Sequence, residues 1–422
     1  VPWDIMLGVR YSLTINVLDD GKFEISGPLA RRKGDIEGEL QWFGVPKSAE
    51  YLSQESAIIG ANGGIVSMFV HTMWNSALSP YRTEIMGKVA DFNKKRLDVY
   101  KQTKPVRDVG ILHSASTFYD EGDGFSHLQP ALDRLEGAHV ALIKKNYHVN
   151  LFADYDLDTR LDEYRVVVLS QQTVLTPTAQ EAIRNYVKGG GSIVVAGKIA
   201  VNETPSNEVS SSLEDVLGIR FLDKEPMDLA YLPWRSFPLP VNCDWYPVEA
   251  TTAETVVPML KDRWAEVNPE HLEYPAMTVN RYGQGKAVYI SGDIFTGFFR
   301  NQHYGVADII EKAMIIADDN KPFETDAPIA MEFSLRKKEG DKILHMVNRL
   351  VDWDMDSEGA IWSEHIPPAG PFNLKIQSDE KPEDVLLKPS NTKLDWRYHD
   401  GYVEVTIPKV HIHEALVLKE VL

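Results

Sequence analysis

At 422 residues the chain is too long for one typical hydrophobic core, so roughly two to four domains are expected. Hydrophobic residues at 43% and charged residues at 25% exclude a disordered or low-complexity chain. The net charge of −18, with no basic stripe to offset it, excludes nucleic acid and an anionic bilayer as partners; the single cysteine, Cys243, excludes an internal disulfide or a four-cysteine metal site.

The chain opens on Val1, without Met or a visible leader, which reads as a processed or internal end; a secreted or periplasmic location is favoured over a cytoplasmic one. No apolar run approaches the roughly 18 residues that would span a bilayer. Pro2–Leu7 reads as a short strand and Leu18–Ile25, around Asp20-Gly21, as an inserted hairpin. Helical spacing follows over Lys47–Gly60, a buried parallel strand over Gly64–Val70 and an amphipathic helix over Ile85–Tyr100. Strand, helix, strand, helix is about a quarter of a (β/α) barrel.

From Val106 the alternation resumes. Strands are expected at Val106–His113, Val149–Ala153, Arg165–Ser170 and Ser192–Ala196, with a helix from Pro130 to about Lys145. Thr176-Pro177 caps a further helix through Lys188, which Gly189-Gly190-Gly191 ends. This is the grammar of a doubly wound, flavodoxin-like parallel sheet. Leu213–Leu217 reads as a short helix, residues 225–247 as a long surface excursion, Ala276–Ser291 as a hairpin and Val306–Ala317 as a closing helix. Residues 321–328 read as a linker. Short strands at Met331–Leu335, Ile343–Asn348, Phe372–Ile376, Val385–Leu387, Tyr402–Ile407 and Ala415–Leu418 then predict a small antiparallel β-sandwich. The expected domains are 1–103, 104–320 and 328–422.

Five stretches carry a family resemblance. Ser48–Val70, continuing as Phe69-Val70-His71-Thr72-Met73-Trp74, resembles the last barrel helix and strand of glycoside hydrolase family 42 β-galactosidases. Tyr164–Ala196 resembles the core of their trimerisation domain, and Tyr282-Gly283-Gln284-Gly285-Lys286, Leu344-His345-Met346-Val347-Asn348 and Gly401–Val417 resemble their wording further on. The resemblance implies the C-terminal portion of a glycoside hydrolase that scaffolds and rims a barrel site, assembles as a homo-oligomer, acts on an oligo- or polysaccharide and is completed by an N-terminal fragment of the same protein.

That family ends its seventh barrel strand in a nucleophilic Glu, whereas Pro2–Gly8 offers only Asp4 as a carboxylate. A retaining glycosidase needs two carboxyl groups roughly 5 Å apart. The main catalytic carboxylates are therefore expected outside this chain. The alternatives are a non-catalytic glycan-binding or assembly protein and a fucosidase-like hydrolase. Barrel chemistry sits at the C-terminal ends of the strands, so His71 and Trp74, with Trp3, are the substrate-binding candidates and Asp4 the catalytic one. Their structural alternatives are a satisfied surface histidine, packing tryptophans and a turn or cap aspartate.

Other motifs point away from chemistry. The flavodoxin-like part resembles class I glutamine amidotransferases in outline, but its strand-to-helix elbow is Ser170-Gln171-Gln172, without a cysteine. No phosphate-binding glycine motif follows a strand, so no cofactor is expected. Asp154, Asp156 and Asp158, like Asp352, Asp354 and Asp356, fail the spacing of a calcium loop. His411 and His413, two apart on a strand, could share a metal but lack a third ligand, so no metal site is assigned.

Overall fold

A computed structural model describes residues 24–28, 48–69, 75–121, 129–154, 157–202, 210–267, 270–350 and 365–419. Two compact units emerge, one of residues 1–106 with 322–422 and one of residues 107–321.

In the first unit, β1 (Glu24–Pro28) pairs in parallel with β2 (Ile65–Phe69), joined through helix α1 (Ala49–Ala61) and followed by α2 (Pro80–Lys94). The strand β1 takes the place expected for the second arm of a Leu18–Ile25 hairpin, and the rest of that hairpin lies outside the described residues. The Oγ of Ser48 caps α1 by accepting the Tyr51 N–H at 3.1 Å. Every residue from Leu52 to Ala61 is buried, so α1 is enclosed on all sides rather than amphipathic. One of its buried polar groups is used directly: Gln54 Nε2 donates to the Asn348 carbonyl at 2.7 Å. Helix α2 starts at Pro80, five residues before the expected Ile85, because proline suits a first helical turn. It stops at Lys94, and α3 (Leu97–Tyr100) is a separate turn. A short strand, β3 (Lys104–Pro105), ends this segment.

The second unit is built on one nine-stranded sheet. Its parallel core comprises β4 (Val109–His113), β5 (Val149–Ala153), β6 (Val166–Ser170) and β7 (Ser192–Ala196). Helices α4 (Ala115–Glu121) and α5 (Gln129–Lys144) link β4 to β5, and α6 (Pro177–Lys188) links β6 to β7. All residues of β4, β6 and β7 are buried, which is why they read as continuous apolar runs. Thr176 Oγ1 accepts the Ala179 N–H at 3.2 Å, and Gly189 caps the other end of α6, as the sequence anticipates.

Residues 225–247 are not a surface excursion. They form β8 (Met227–Trp234) and β9 (Phe237–Trp245), which with β10 (Glu254–Leu260), β11 (His271–Tyr282) and β12 (Gly285–Ile290) give the order β9-β8-β10-β11-β12-β7-β6-β4-β5. Prolines 238 and 240 disguise β9 but fit it, because an edge strand tolerates missing N–H donors. Its alternate positions are buried, ending in a fully buried Trp245 whose Nε1 donates to Val241 O at 3.0 Å. Helices α7 (Ile294–Asn301) and α8 (Tyr304–Ala317) complete the unit.

The first unit resumes as a sandwich. One sheet is β13-β16-β20-β19, from β13 (Phe323–Thr325), β16 (Phe372–Gln377), β19 (Trp396–His399) and β20 (Tyr402–Ile407). The other is β18-β17-β21-β15-β14-β3, from β14 (Met331–Lys338), β15 (Asp341–Asn348), β17 (Asp384–Lys388), β18 (Thr392–Lys393) and β21 (His413–Lys419). The expected linker is thus interrupted by β13, whose Phe323 is buried in the sandwich core with Phe333, Leu344, Ile376, Val405 and Leu416. Positive φ at Glu339 and Gly340 (52° and 99°), and at Asp400 and Gly401 (50° and 79°), gives the turns that twist-matched hairpins require.

Candidate functional site

The parallel register of β1 and β2 places Pro28 beside Phe69, so both strands end on the same side, the side where barrels keep their chemistry. The one carboxylate residue of β1, Glu24, begins that strand and sits at the opposite end. Residues 70–74 continue directly from β2. They lie outside the described residues, and so do all the site candidates: Asp4, Trp3, His71 and Trp74.

The other place where this topology gathers polar groups is the carboxyl end of the parallel sheet. There β4 pairs with β5 on one side and β6 on the other, which makes the gap beyond β4 and β6 a topological switch point. The elbow after β6 is real: Gln171 adopts φ +45°, a left-handed conformation that costs a non-glycine residue. Its N–H donates to Ala196 O at 2.9 Å. A Cβ on Gly197 would lie 2.4 Å from Gln171 Oε1, so only glycine can face this elbow.

Around the elbow a polar network ties the strand ends together. The Ser114 N–H donates to Gln172 Oε1 at 2.7 Å, while Gln172 Nε2 donates to Ser170 O at 2.8 Å. Ser114 Oγ lies 2.8 Å from Asp154 Oδ2 and 2.9 Å from Val174 O, and it accepts the Thr117 N–H as the N-cap of α4. Arg134 is buried, pairs with Glu121 and donates to Gln171 O at 2.5 Å.

Among the described residues this crest contains no activated nucleophile. The elbow residue carries an amide, and the Ser114 hydroxyl is held by a carboxylate and a carbonyl with no imidazole as base. Burial lowers the His113 pKa to about 4, against the opposing pull of Asp154, so its ring is neutral at pH 7 and packs edge-on to Phe118. Burial pushes the Cys243 thiol well up, with Asp293 and Asp244 adding to it, so the thiolate needed for attack does not form. Asp154 takes part in the serine network through Ser114 Oγ. Sequence reasoning missed Ser114 and Arg134, although the Ser-x-x-Thr spacing of Ser114 and Thr117 is an N-cap signal.

His411 and His413 do not share the strand face read for them. A bend at 411–412 precedes β21, so the strict alternation starts only at His413. His411 is exposed, 3.7 Å from Glu50, whereas His413 is buried beneath Arg96 and His345. Arg96 Nε donates to His413 Nδ1 at 3.1 Å, which leaves the proton on Nε2 to donate to His345 Nδ1 at 3.0 Å. His345 Nε2–H then ends the chain without an acceptor among the described residues. The aspartates 352, 354 and 356 lie outside the described residues.

Residues 108–316 match the family model of the β-galactosidase trimerisation domain. The whole chain resembles solved structures in fold. An α-L-fucosidase isoenzyme 2 from Paenibacillus thiaminolyticus superposes with a TM-score of 0.74 at 16% identity, over 94% of this chain and 60% of its own length. A β-galactosidase from Bacillus circulans sp. alkalophilus gives 0.65 at 14% identity, over 99% and 58%. A family 42 β-galactosidase from G. stearothermophilus gives 0.67 at 13% identity, over 100% and 57%. This chain therefore spans well under two thirds of the length of these structures. Residues 108–316 thus match the β-galactosidase trimerisation domain, and the chain as a whole shares the fold of family 42 β-galactosidases and of the fucosidase over part of their length.

Proposed function

We propose that this chain is the C-terminal portion of a glycoside hydrolase, scaffolding and rimming a barrel site whose main catalytic carboxylates lie outside it. The observation that carries the reading is the parallel β1–α1–β2 unit, two adjacent barrel strands with no carboxylate residue at their C-terminal ends. Hydrolysis by paired carboxylates needs an acid to protonate the leaving oxygen and a partner at the anomeric carbon. His71, Trp74 and Trp3 are the substrate-binding residues this reading assigns, and Asp4 the one carboxylate near the expected strand. Residues 1–422 alone should leave p-nitrophenyl glycosides intact, and the product of the longer reading frame should cleave one of them.

A fucosidase-like hydrolase is the second reading, since the chain shares its fold with an α-L-fucosidase isoenzyme 2 as well as with the β-galactosidases. A non-catalytic glycan-binding or assembly protein is the remaining alternative, and it predicts saccharide binding without turnover by either product.

The reading includes a homo-oligomer formed through the second unit. We assign its contact to the tip of the β8–β9 hairpin and the start of α8, where Phe237 and Tyr304 are exposed and Arg235 lies 4.5 Å over the Trp234 ring. Trp234 is itself fixed, its Nε1 donating to Asp308 Oδ2 at 2.9 Å and its ring edge-on to Tyr304. Rigid Trp, Tyr and Arg side chains on a protruding edge are the composition of interface hot spots. No helix among the described residues is long and apolar enough to cross a membrane.

A further inference from the structure

The four-stranded sheet of the sandwich turns its outer face to a groove of about 710 Å3, within the roughly 300–1,000 Å3 typical of small-molecule sites. Alternation along the strands puts the core residues Leu374, Val405 and Ile407 on one side and leaves a polar row on the other. Register aligns Glu324, Lys375, Glu404 and Arg397 side by side across β13, β16, β20 and β19, so charge alternates in sign across the groove. A second row is already fixed by hydrogen bonds. Asn373 Nδ2 donates to Asp326 Oδ2 at 2.9 Å, and Thr406 Oγ1 donates to Asn373 Oδ1 at 3.0 Å.

Several groups in the groove have no use within the fold. The side chains of Arg397, Asp395 and Glu324 make no hydrogen bond or ion pair among the described residues, though all line the same space. Lys375 lies 4.3 Å over the Tyr402 ring instead of pairing with the acids beside it. The groove therefore offers a guanidinium fork, carboxylates and a pre-oriented amide, each able to take two neighbouring hydroxyl groups at once.

The charge decides the ligand class. Four carboxylates face two cations here, so an anionic ligand such as a phosphate or a uronate is repelled. The outward rows are polar, and the apolar residues that reach the groove, Leu374, Val405 and Trp396, belong to or pack on the sandwich core, which leaves no projecting apolar row among the described residues to hold a lipid or an apolar peptide. A neutral polyol satisfies donors and acceptors of both kinds. We propose that this outer face of the sandwich is a non-catalytic binding site for a neutral oligosaccharide, with Arg397 and Asn373 as the principal hydroxyl-binding residues. The site stands on the chemistry of the groove and needs no turnover elsewhere in the protein.

The test is calorimetric titration of the 422-residue chain with galactotetraose, xylotetraose and cellotetraose, with tetragalacturonate as the anionic control. At least one neutral tetrasaccharide should bind and tetragalacturonate should not. Arg397→Ala should weaken binding at least about tenfold, and Arg397→Lys, which keeps the charge and loses the fork, nearly as much. Both changes fall on an exposed side chain, so the thermal midpoint reports whether the fold is intact. Thr406→Ala, which frees the Asn373 amide, is the second variant and should weaken binding less than Arg397→Ala. Absence of binding by all three neutral probes, binding unchanged in Arg397→Ala, or preference for tetragalacturonate overturns the proposal. A longer gene product inactive on every aryl glycoside refutes the hydrolase reading and leaves this site standing.

Discussion

His345 and His413 make the stability of the first unit sensitive to acid, and His345→Asn isolates the effect. Both rings are buried, and the donor chain from Arg96 through His413 fixes each in a neutral tautomer. A proton on His345 Nδ1 would face the His413 N–H, two donors 3.0 Å apart. Burial, with the nearby Arg336 charge, holds the His345 pKa down at about 3, against 6.5 for the free side chain. The sign follows from linkage: as pH falls below 6.5 the unfolded chain takes up a proton that the folded one refuses until about pH 3, so stability is lost across that window. Because the unfolded histidine is already half protonated at pH 6.5, one such group loses roughly 2 kcal/mol between pH 6.5 and 4.5. In His345→Asn the Oδ1 can still accept from His413 Nε2, but nothing at this position titrates. Urea unfolding of both proteins at pH 6.5 and 4.5 should show the wild type losing roughly 2 kcal/mol more than the variant over that interval. Equal losses would refute the buried, neutral assignment of His345.

Two further predictions concern packing and assembly. A Cβ at Gly137 in α5 would sit 2.1 Å from the Phe295 carbonyl oxygen in α7, and backbone cannot yield as a side chain can; Gly137→Ala should lower the melting temperature of the second unit by about 3–10 °C. Gly87→Ala in α2, where a Cβ meets nothing within 4 Å, should instead raise stability slightly, so a drop at both positions would contradict the packing described. By sedimentation the chain should run at a multiple of its 47.6 kDa mass, and Trp234→Ala with Tyr304→Ala should shift it to monomer; an unchanged oligomer would remove the β8–β9 tip from the interface.

The parallel sheet was legible because burial on both faces demands runs such as Val166–Ser170 and Ser192–Ala196, and glycines mark where those runs end. The strands β8 and β9 were not, because Pro233, Pro238 and Pro240 break the strand pattern; Pro238 and Pro240 are accepted on the unpaired edge of β9, and Pro233 lies at the end of β8, where the paired register with β10 has only Tyr231 opposite Leu260. At the crest, sequence located the turn at Ser170-Gln171-Gln172, but the left-handed Gln171 and the Ser114–Asp154 contact depend on strands brought together by the sheet. The spacing of His411 and His413 suggested a shared face that a bend abolishes. The true partners of His413, Arg96 and His345, lie 317 and 68 residues away, where no local pattern can signal them.

The central claim is that the first hundred residues contribute barrel strands but not the pair of acids that breaks a glycosidic bond. Turnover of p-nitrophenyl α-L-fucoside and β-D-galactoside by the purified 422-residue chain tests it most directly. The account predicts no release of nitrophenol above the uncatalysed rate, and sustained release that survives repurification would contradict it.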